Sequence, residues 1–343
     1  MRSICLALTT LCLLAGSPAH AQTSKPNQSD SILELPKHAI ERSQLTLPGS
    51  AAFHLKATII DPKNPANADY RASIELYWVS AQKWRRVVTA PHFSQTLIAN
   101  GDRVREELDG DYDPNWLRTL VNAIVDPGAP LQGIDLSTSD DNPHRGGKQF
   151  CRRFATAVGI APVTNDVYAS FCFEQGLIAS VGKPGYNAYY SDPQPFLDKL
   201  VARKILEYLH HNNQVEAHID ELTELKDPPD SLFAIQEANT PLQTIVVSEE
   251  AARGQTTNAP AMQWPTIEEG APIGVLSVYV SIDRNGRVRE THDLNTDHPD
   301  MSDAAGRQLL EWRFKPFVKD GLPVQAETIL TFAYKTRIQK RGR

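Results

Sequence analysis

GVLSVYVSIDRNGRVRETHDLNTDHPDMSDAAGRQLLEWRFKPFVKDGLPVQAETILTFAY, residues 274–334, writes out a complete small β-β-α-β unit. Leu276, Val278, Val280 and Ile282 alternate with Ser277, Tyr279 and Ser281, the period of a strand with one face buried. Asn285-Gly286 then predicts a tight hairpin turn, since both residues tolerate positive φ. Ser302 or Asp303 is placed to cap a helix that carries Ala305, Leu309 and Trp312 on one side, and Pro316 predicts its end. After an Asp320-Gly321 turn, Val324, Ala326, Thr328, Leu330, Phe332 and Tyr334 share one face of a last half-buried strand. Gln325, Glu327, Ile329 and Thr331 fall on the other.

The order of Ile282-Asp283, Gly286-Arg287-Val288, Trp312-Arg313-Phe314-Lys315-Pro316 and Gly321-Leu322-Pro323-Val324 resembles the C-terminal domain of the TonB family of energy transducers, over residues 270–336. The resemblance implies a periplasmic domain without catalytic residues that binds partner proteins by adding a short peptide to its exposed sheet edge. Such an edge offers a row of unpaired N–H and C=O groups. Here it implies a partner surface on the strand from Val324 to Tyr334, with Gln325, Glu327, Ile329 and Thr331 as its candidate residues. A typical transducer also has an N-terminal membrane anchor and a long Pro-rich spanning linker, and this chain shows neither.

At the other end, Met1-Arg2 is a short basic region, residues 4–16 are apolar, and Ala19-His20-Ala21 has the form of a cleavage site. These features predict a secretory signal over residues 1–21, cut after Ala21, and a periplasmic location. The apolar stretch is shorter than the roughly 20 residues a membrane span needs, and Cys12 follows Leu11 rather than the small residue of a lipoprotein signal. No later stretch reads as a transmembrane segment. The chain of 343 residues has 35 basic and 41 acidic side chains, a net charge of −6 that becomes one unit more negative when Arg2 leaves with the signal. That balance argues against nucleic acid as a partner. Cys151 and Cys172 are the cysteines left after cleavage, both in alternating stretches, and an oxidising compartment favours a disulfide between them over two unpaired thiols.

Between the two ends, FHLKATII at 53–60 alternates strictly. Further strands are predicted at 73–79, 83–88, 95–99 and 103–107, in an antiparallel succession. Asp113-Pro114 offers an N-cap and a first-turn proline for a helix bearing Trp116, Leu117, Leu120, Val121 and Ile124. Residues 129–146 read as a surface loop, and strands resume near Gln149, Val167 and Leu177. A Pro- and Tyr-rich turn is expected next. Residues 199–209 and 214–225 then read as a hairpin around Asn212-Asn213 rather than as two helices.

The stretches FHLKATI at 53–59, IELYWVSAQKWRRVV at 74–88, FSQTLIANGDRVRE at 93–106 and LFAI at 232–235 resemble the LolA-like half-barrel proteins of the periplasm, over residues 30–250. The resemblance implies a curved sheet around an apolar cavity that accepts acyl chains, with Trp78, Trp84, Phe93, Trp116 and Leu120 as its candidate lining. The alternative reading of the same aromatics is a filled core between sheet and helix. The expected fold is therefore α+β: a signal at 1–21, a large antiparallel half-barrel with an inserted helix at 30–235, a linker at 236–265 with a short strand at 244–247, and a small β-β-α-β module at 266–337.

The sequence offers little for catalysis. Asp109, Asp111 and Asp113 have the spacing of a calcium loop, but Pro114 stands where its glycine belongs and Leu120 where its bidentate glutamate belongs, so an acidic turn is expected and no metal site. His210 and His211 point to opposite faces of any strand. No nucleophile elbow, zinc-protease helix or phosphate loop occurs, and no cofactor is expected. The basic tail from Lys335 to Arg343 is either a solvated end or a contact for an acidic surface. The expected function is that of a non-enzymatic periplasmic binding protein. A partner-binding module would be fused to a half-barrel for a lipid or lipidated ligand. The alternatives are a ligand-free interaction protein of the envelope and an accessory to TonB-dependent energy transduction.

Overall fold

The computed structural model describes residues 37–129, 144–146, 149–155, 168–183, 186–209, 214–295 and 299–339. The expected signal at 1–21, His210 and His211, and the end of the basic tail lie outside them. The described residues build a 12-stranded sheet followed by a five-stranded one, with few helices among them, which is the α+β fold expected.

Five strands form the first meander: β1 (Phe53–Ile60), β2 (Ala72–Ser80), β3 (Lys83–Ala90), β4 (Phe93–Asn100) and β5 (Arg103–Asp109). Seven more follow: β6 (His144–Gly146), β7 (Gln149–Ala155), β8 (Tyr168–Glu174), β9 (Leu177–Lys183), β10 (Tyr186–Phe196), β11 (Lys199–Tyr208) and β12 (Gln214–Glu224). Each strand pairs antiparallel with its sequence neighbour, except that β5 and β6 lie at opposite edges and β1 pairs with β12. The alternation of β1 sets which face becomes the core. Phe53, Leu55, Ala57 and Ile59 are buried, opposite Trp78, Leu76, Ile74 and Ala72 of β2 in register. Burying each large aliphatic chain contributes about 1.5–3 kcal/mol.

Helix α1 (residues 37–43) precedes the sheet, and α2 (Asn115–Val125) lies between β5 and β6. The stripe of α2 is buried in the same cluster as β1 and β2, from Trp116 and Leu117 through Leu120 and Val121 to Ile124. Its start differs from the expectation. Pro114, not Asp113, occupies the capping position, and no side chain of that residue closes the first turn. The pairing of Lys204–Tyr208 with Gln214–His218 gives the hairpin expected at 199–225.

The Pro- and Tyr-rich segment expected to turn is instead the eleven-residue strand β10. Its pairing with β9 runs only from Tyr186 to Tyr189, whereas its pairing with β11 continues to Phe196. Pro193 and Pro195 therefore lie where one side of the strand is an edge, the place in a sheet where a missing N–H breaks no ladder. Cys151 and Cys172 face each other across β7 and β8 and form a disulfide.

The second unit contains β13 (Thr244–Val246), α3 (Glu249–Gly254), β14 (Thr256–Asn258), β15 (Ile273–Ile282), β16 (Val288–Asn295), α4 (Pro299–Leu309), β17 (Arg313–Phe314), β18 (Phe317–Lys319) and β19 (Leu322–Lys335). The sheet order is β13-β19-β15-β16, with β18 also on β19 and the short β14 on β17. Helix α4 starts at Pro299 rather than at Ser302 or Asp303, and it ends at Leu309, well before Pro316. Met301, Ala305 and Leu309 of this helix are buried with Leu276, Val280, Ile282, Ala326 and Leu330 of the sheet. Trp312 lies beyond the helix but joins the same core, packed edge-on to Phe332.

Gly286 closes the β15–β16 turn at φ +81°, and a Cβ there would stand 2.0 Å from the Phe314 carbonyl oxygen. Both the backbone conformation and the space require glycine. The buried Asp283 carboxylate holds this turn by accepting the N–H groups of Asn285 and Arg287 at 2.9 Å each.

Candidate functional site

The sequence predicts a water-facing side for the second sheet, and the structure buries it. Ser277, Ser281 and Gln325 are inaccessible to solvent, with Tyr279 and Ile329 nearly so. The N-terminal end of α2 meets this face. Tyr112 Oη donates its one proton to Glu290 Oε1 at 2.7 Å, and its oxygen lies within hydrogen-bond distance of Ser281 Oγ, at 2.9 Å. The N–H of Asn115 donates to the same Glu290 oxygen at 2.7 Å. Glu290 of β16 is thus the carboxylate that closes the first turn of α2, in place of a cap from the helix's own sequence.

Gln325 reads the backbone just before the helix from both sides. Its Oε1 accepts the Asp113 N–H at 2.6 Å, and its Nε2 donates to the Asp113 carbonyl at 3.2 Å. One turn into α2, Arg118 pairs with Glu327 and also donates to Thr244 Oγ1 at 2.6 Å and to Asn115 Oδ1 at 2.8 Å. Tyr279 Oη donates to Asn115 Oδ1 at 3.3 Å. At the border of the junction, the Arg289 guanidinium lies over the Tyr112 ring at 5.2 Å, and Arg284 donates to the Gly110 carbonyl.

Burial shapes the electrostatics of this junction. It raises the hydroxyl pKa values of Tyr112 and Tyr279 well above the ordinary value, with further contributions from the nearby charges of Glu290 and Glu327 respectively. Burial also lifts the Asp113 carboxyl to about 6, against the opposing pull of Arg118 and Arg86. For Glu290 burial acts upward too, but the His292 ring, the Tyr112 hydroxyl and the Asn115 N–H outweigh it and hold the carboxyl below its ordinary value. Arg118 is likewise held charged against its desolvation, chiefly by Glu327. Glu290 is therefore ionised, and Glu290 and Glu327 are each engaged with donors across the junction.

Two cavities among the described residues bear on the expected ligand site. One, of about 480 Å³, opens beside the junction between Tyr70, Phe93 and Trp116 of the first unit and Arg289, Glu290 and His292 of the second. The other, of about 320 Å³, lies within the half-barrel, where Ile124 and Pro127 face Ile178, Ala179, Leu200 and Ile205.

None of the five expected lining residues borders the half-barrel cavity. Trp78 stacks on Phe53 at 5.4 Å in the core, Leu120 is fully buried there, and Trp84 packs against its margin. Phe93 and Trp116 line the junction cavity instead, and Tyr70 meets the Trp116 ring edge-on at 5.6 Å. Their size made them candidates, but Trp78 and Leu120 fill the space between sheet and helix, and the half-barrel cavity is walled mainly by aliphatic residues with Tyr190.

The expectation of an open edge along β19 is also corrected. Side chains stand on the faces of a strand while an edge is made of its backbone. Gln325 and Glu327 contact α2 on the face, and β13 runs parallel to the backbone edge, with Thr244 opposite Gln325, Ile245 opposite Ala326 and Val246 opposite Glu327. Ile329 is buried, and the main-chain groups of Thr331 are held by Glu249 and Arg253 of α3.

The connector expected at 236–265 is attached to both units. Asn239 bonds to the backbone of Val104 and Glu106 on the β5 edge, and Leu242 donates to the Glu106 carboxylate at 2.6 Å. Sequence reading missed Tyr112, Asn115, Arg118 and Glu290. A usable signal was the small-polar and aromatic character of Ser277-Val278-Tyr279-Val280-Ser281, since a water-facing strand more often carries long charged side chains.

Among the described residues, no helix is long and apolar enough to cross a membrane. No curated protein sequence matches the chain. Among solved structures, it is similar to a LolA superfamily protein from Nitrosomonas europaea at 10% identity and a TM-score of 0.35, over 60% of this chain and 97% of that one. It is also similar to a DUF1329 family protein from Desulfovibrio piger at 6% identity and a TM-score of 0.36, over 60% and 96% of the two chains. For the second unit the match is to a family model: residues 271–336 match that of the Gram-negative bacterial TonB protein C-terminal, and this segment is similar to that domain.

Proposed function

We propose that this is a periplasmic binding protein of the cell envelope, with a half-barrel that takes one apolar chain of a lipid or lipidated ligand and a TonB-like module that captures a protein partner. The observation that carries the ligand reading is the half-barrel cavity of about 320 Å³ between α2 and β9–β11, with walls that include Ile124, Ile178, Leu200, Val201 and Ile205. Its size falls at the lower end of the roughly 300–1,000 Å³ of small-molecule sites, which suits a single chain rather than a many-chained lipid. The family match of residues 271–336 supports the partner reading.

Titration with a fluorescent fatty acid, comparing the wild type with Ala179→Trp, tests the ligand half. Ala179 is buried on the cavity wall, so the indole would occupy the ligand's space. Saturable uptake that is lost in a folded variant is the expected result. Equal uptake by both proteins, or none by either, would refute it. A filled half-barrel acting only as an interaction protein is the second reading. It is favoured by the packing of Trp78 and Leu120 into the core, and it predicts no uptake.

A further inference from the structure

The edge of β19 is covered by a single continuous piece of chain. Gln325 donates its N–H to the Gln243 carbonyl and Val247 donates to the Glu327 carbonyl, both at 2.9 Å, which fixes residues 243–247 as a parallel strand on that edge. Helix α3 then takes over. Glu249 Oε1 accepts the Thr331 N–H at 3.0 Å, and Arg253 Nη2 donates to the Thr331 carbonyl at 2.8 Å. Two side chains thus act where the next residues of a strand would. The covering strand is only three residues long, and Val246 in it is half exposed.

We propose that residues 243–253 are a displaceable internal stopper on a strand-acceptor edge, and that the protein partner is an extended segment that replaces it. The inference rests on the partner-capture reading above and adds how that site is closed and what opens it. The contacts of the stopper specify its competitor. Thr244 presents a hydroxyl to Arg118, Ile245 and Val247 pack against the core of the module, and Val246 points outward. The competitor is therefore an extended peptide that runs parallel to β19, with a hydrogen-bond acceptor at one position and aliphatic residues one and three positions later. Arg118 lies on α2, so the half-barrel contributes to the acceptor site.

The test uses the full chain and a fluorescein-labelled peptide with the sequence of residues 243–248, QTIVVS. Val247→Pro removes the donor that bonds Glu327 and weakens the internal strand. The pair Ile245→Cys and Ala326→Cys, which are direct cross-strand partners, locks it when oxidised. The folded Val247→Pro protein is expected to bind the peptide at least about tenfold more tightly than the wild type, and the oxidised lock to lose binding that reduction restores.

Equal binding by the wild type, the oxidised lock and Val247→Pro would mean that the peptide binds away from the β19 edge, and would overturn the stopper while leaving partner capture to another surface of the module. A folded Val247→Pro protein with rapidly exchanging amides at Gln325 and Thr331 that still ignores the peptide would overturn the acceptor edge itself. Hydrogen exchange on the wild type provides a measurement that needs no variant. The amides of Gln325 and Thr331 are expected to exchange through an opening smaller than global unfolding, faster than that of Val280 in the central strand. Exchange of all three only with global unfolding would make the stopper a permanent strand and overturn the proposal.

Discussion

The Glu290 carboxylate accepts the Asn115 N–H at 2.7 Å, so a strand of the C-terminal module caps a helix of the half-barrel 175 residues earlier in the chain. The first turn of a helix leaves N–H groups without partners, and a negative charge placed there satisfies both their hydrogen bonds and the helix dipole. With Pro114 in the capping position, α2 has no such group of its own. The two units are thereby linked by a need of the helix as well as by packing.

Removal of that carboxylate should weaken both units together. Glu290→Ala is expected to destabilise the protein by about 2 kcal/mol, near the upper range for a lost cap, because the Tyr112 hydroxyl loses its acceptor as well. Urea unfolding followed by two probes, one in each unit, checks this. A loss confined to the module, with α2 unchanged, would show that the cap contributes nothing to the half-barrel.

The Arg118–Glu327 pair is largely buried, with 22% and 15% of the two side chains exposed. Breaking such a pair on one side leaves a charge unsatisfied, so Glu327→Leu should cost roughly 3 kcal/mol. The double variant Arg118→Met with Glu327→Leu should recover most of it. A double-mutant cycle from chemical denaturation gives the coupling, and additive losses would indicate that the two side chains do not interact.

Asp113 gives the junction a pH dependence of known sign. Its carboxyl is raised from 3.8 to about 6 by burial, so the folded state holds this proton more tightly than the unfolded chain does. Its effect on stability is therefore unfavourable as pH rises, growing between about pH 4 and 6 and levelling above, by at most about 3 kcal/mol. Asp113→Asn should be more stable than the wild type at pH 7 and lose this advantage at pH 4. The same stability difference at both pH values would contradict the assignment.

The Cys151–Cys172 bridge closes a loop with a sequence separation of 21 residues. Constraint of an unfolded chain over about that length contributes roughly 3 kcal/mol. Thermal melts with and without reductant, set beside the Cys151→Ala and Cys172→Ala double variant, should show equal losses. Stability unaffected by reductant in a protein shown to be reduced would contradict this.

The alternation of Phe53-Leu55-Ala57-Ile59 and of Leu276-Val278-Val280-Ile282 made both sheets readable, because one apolar face against a core repeats every second residue. Asn285-Gly286 was equally direct, since its turn needs a glycine for reasons local to the chain. The same alternation could not reveal that Ser281 and Gln325 are buried. A polar face against another polar surface has the same period as one against water, and only the location of Tyr112 and Asp113 tells them apart. Strand β10 was hidden by Pro193 and Pro195, whose tolerance depends on where β9 stops. The cap of α2 was hidden for a similar reason, because its acceptor comes from β16.

Native mass spectrometry of the exported protein, purified without detergent and followed by solvent extraction, tests the ligand-carrying claim most directly. The account predicts one lipid-sized adduct per chain, lost on denaturation and absent from folded Ala179→Trp. A bare mass for the wild type, with no uptake of added fatty acid, would contradict it and leave a filled half-barrel.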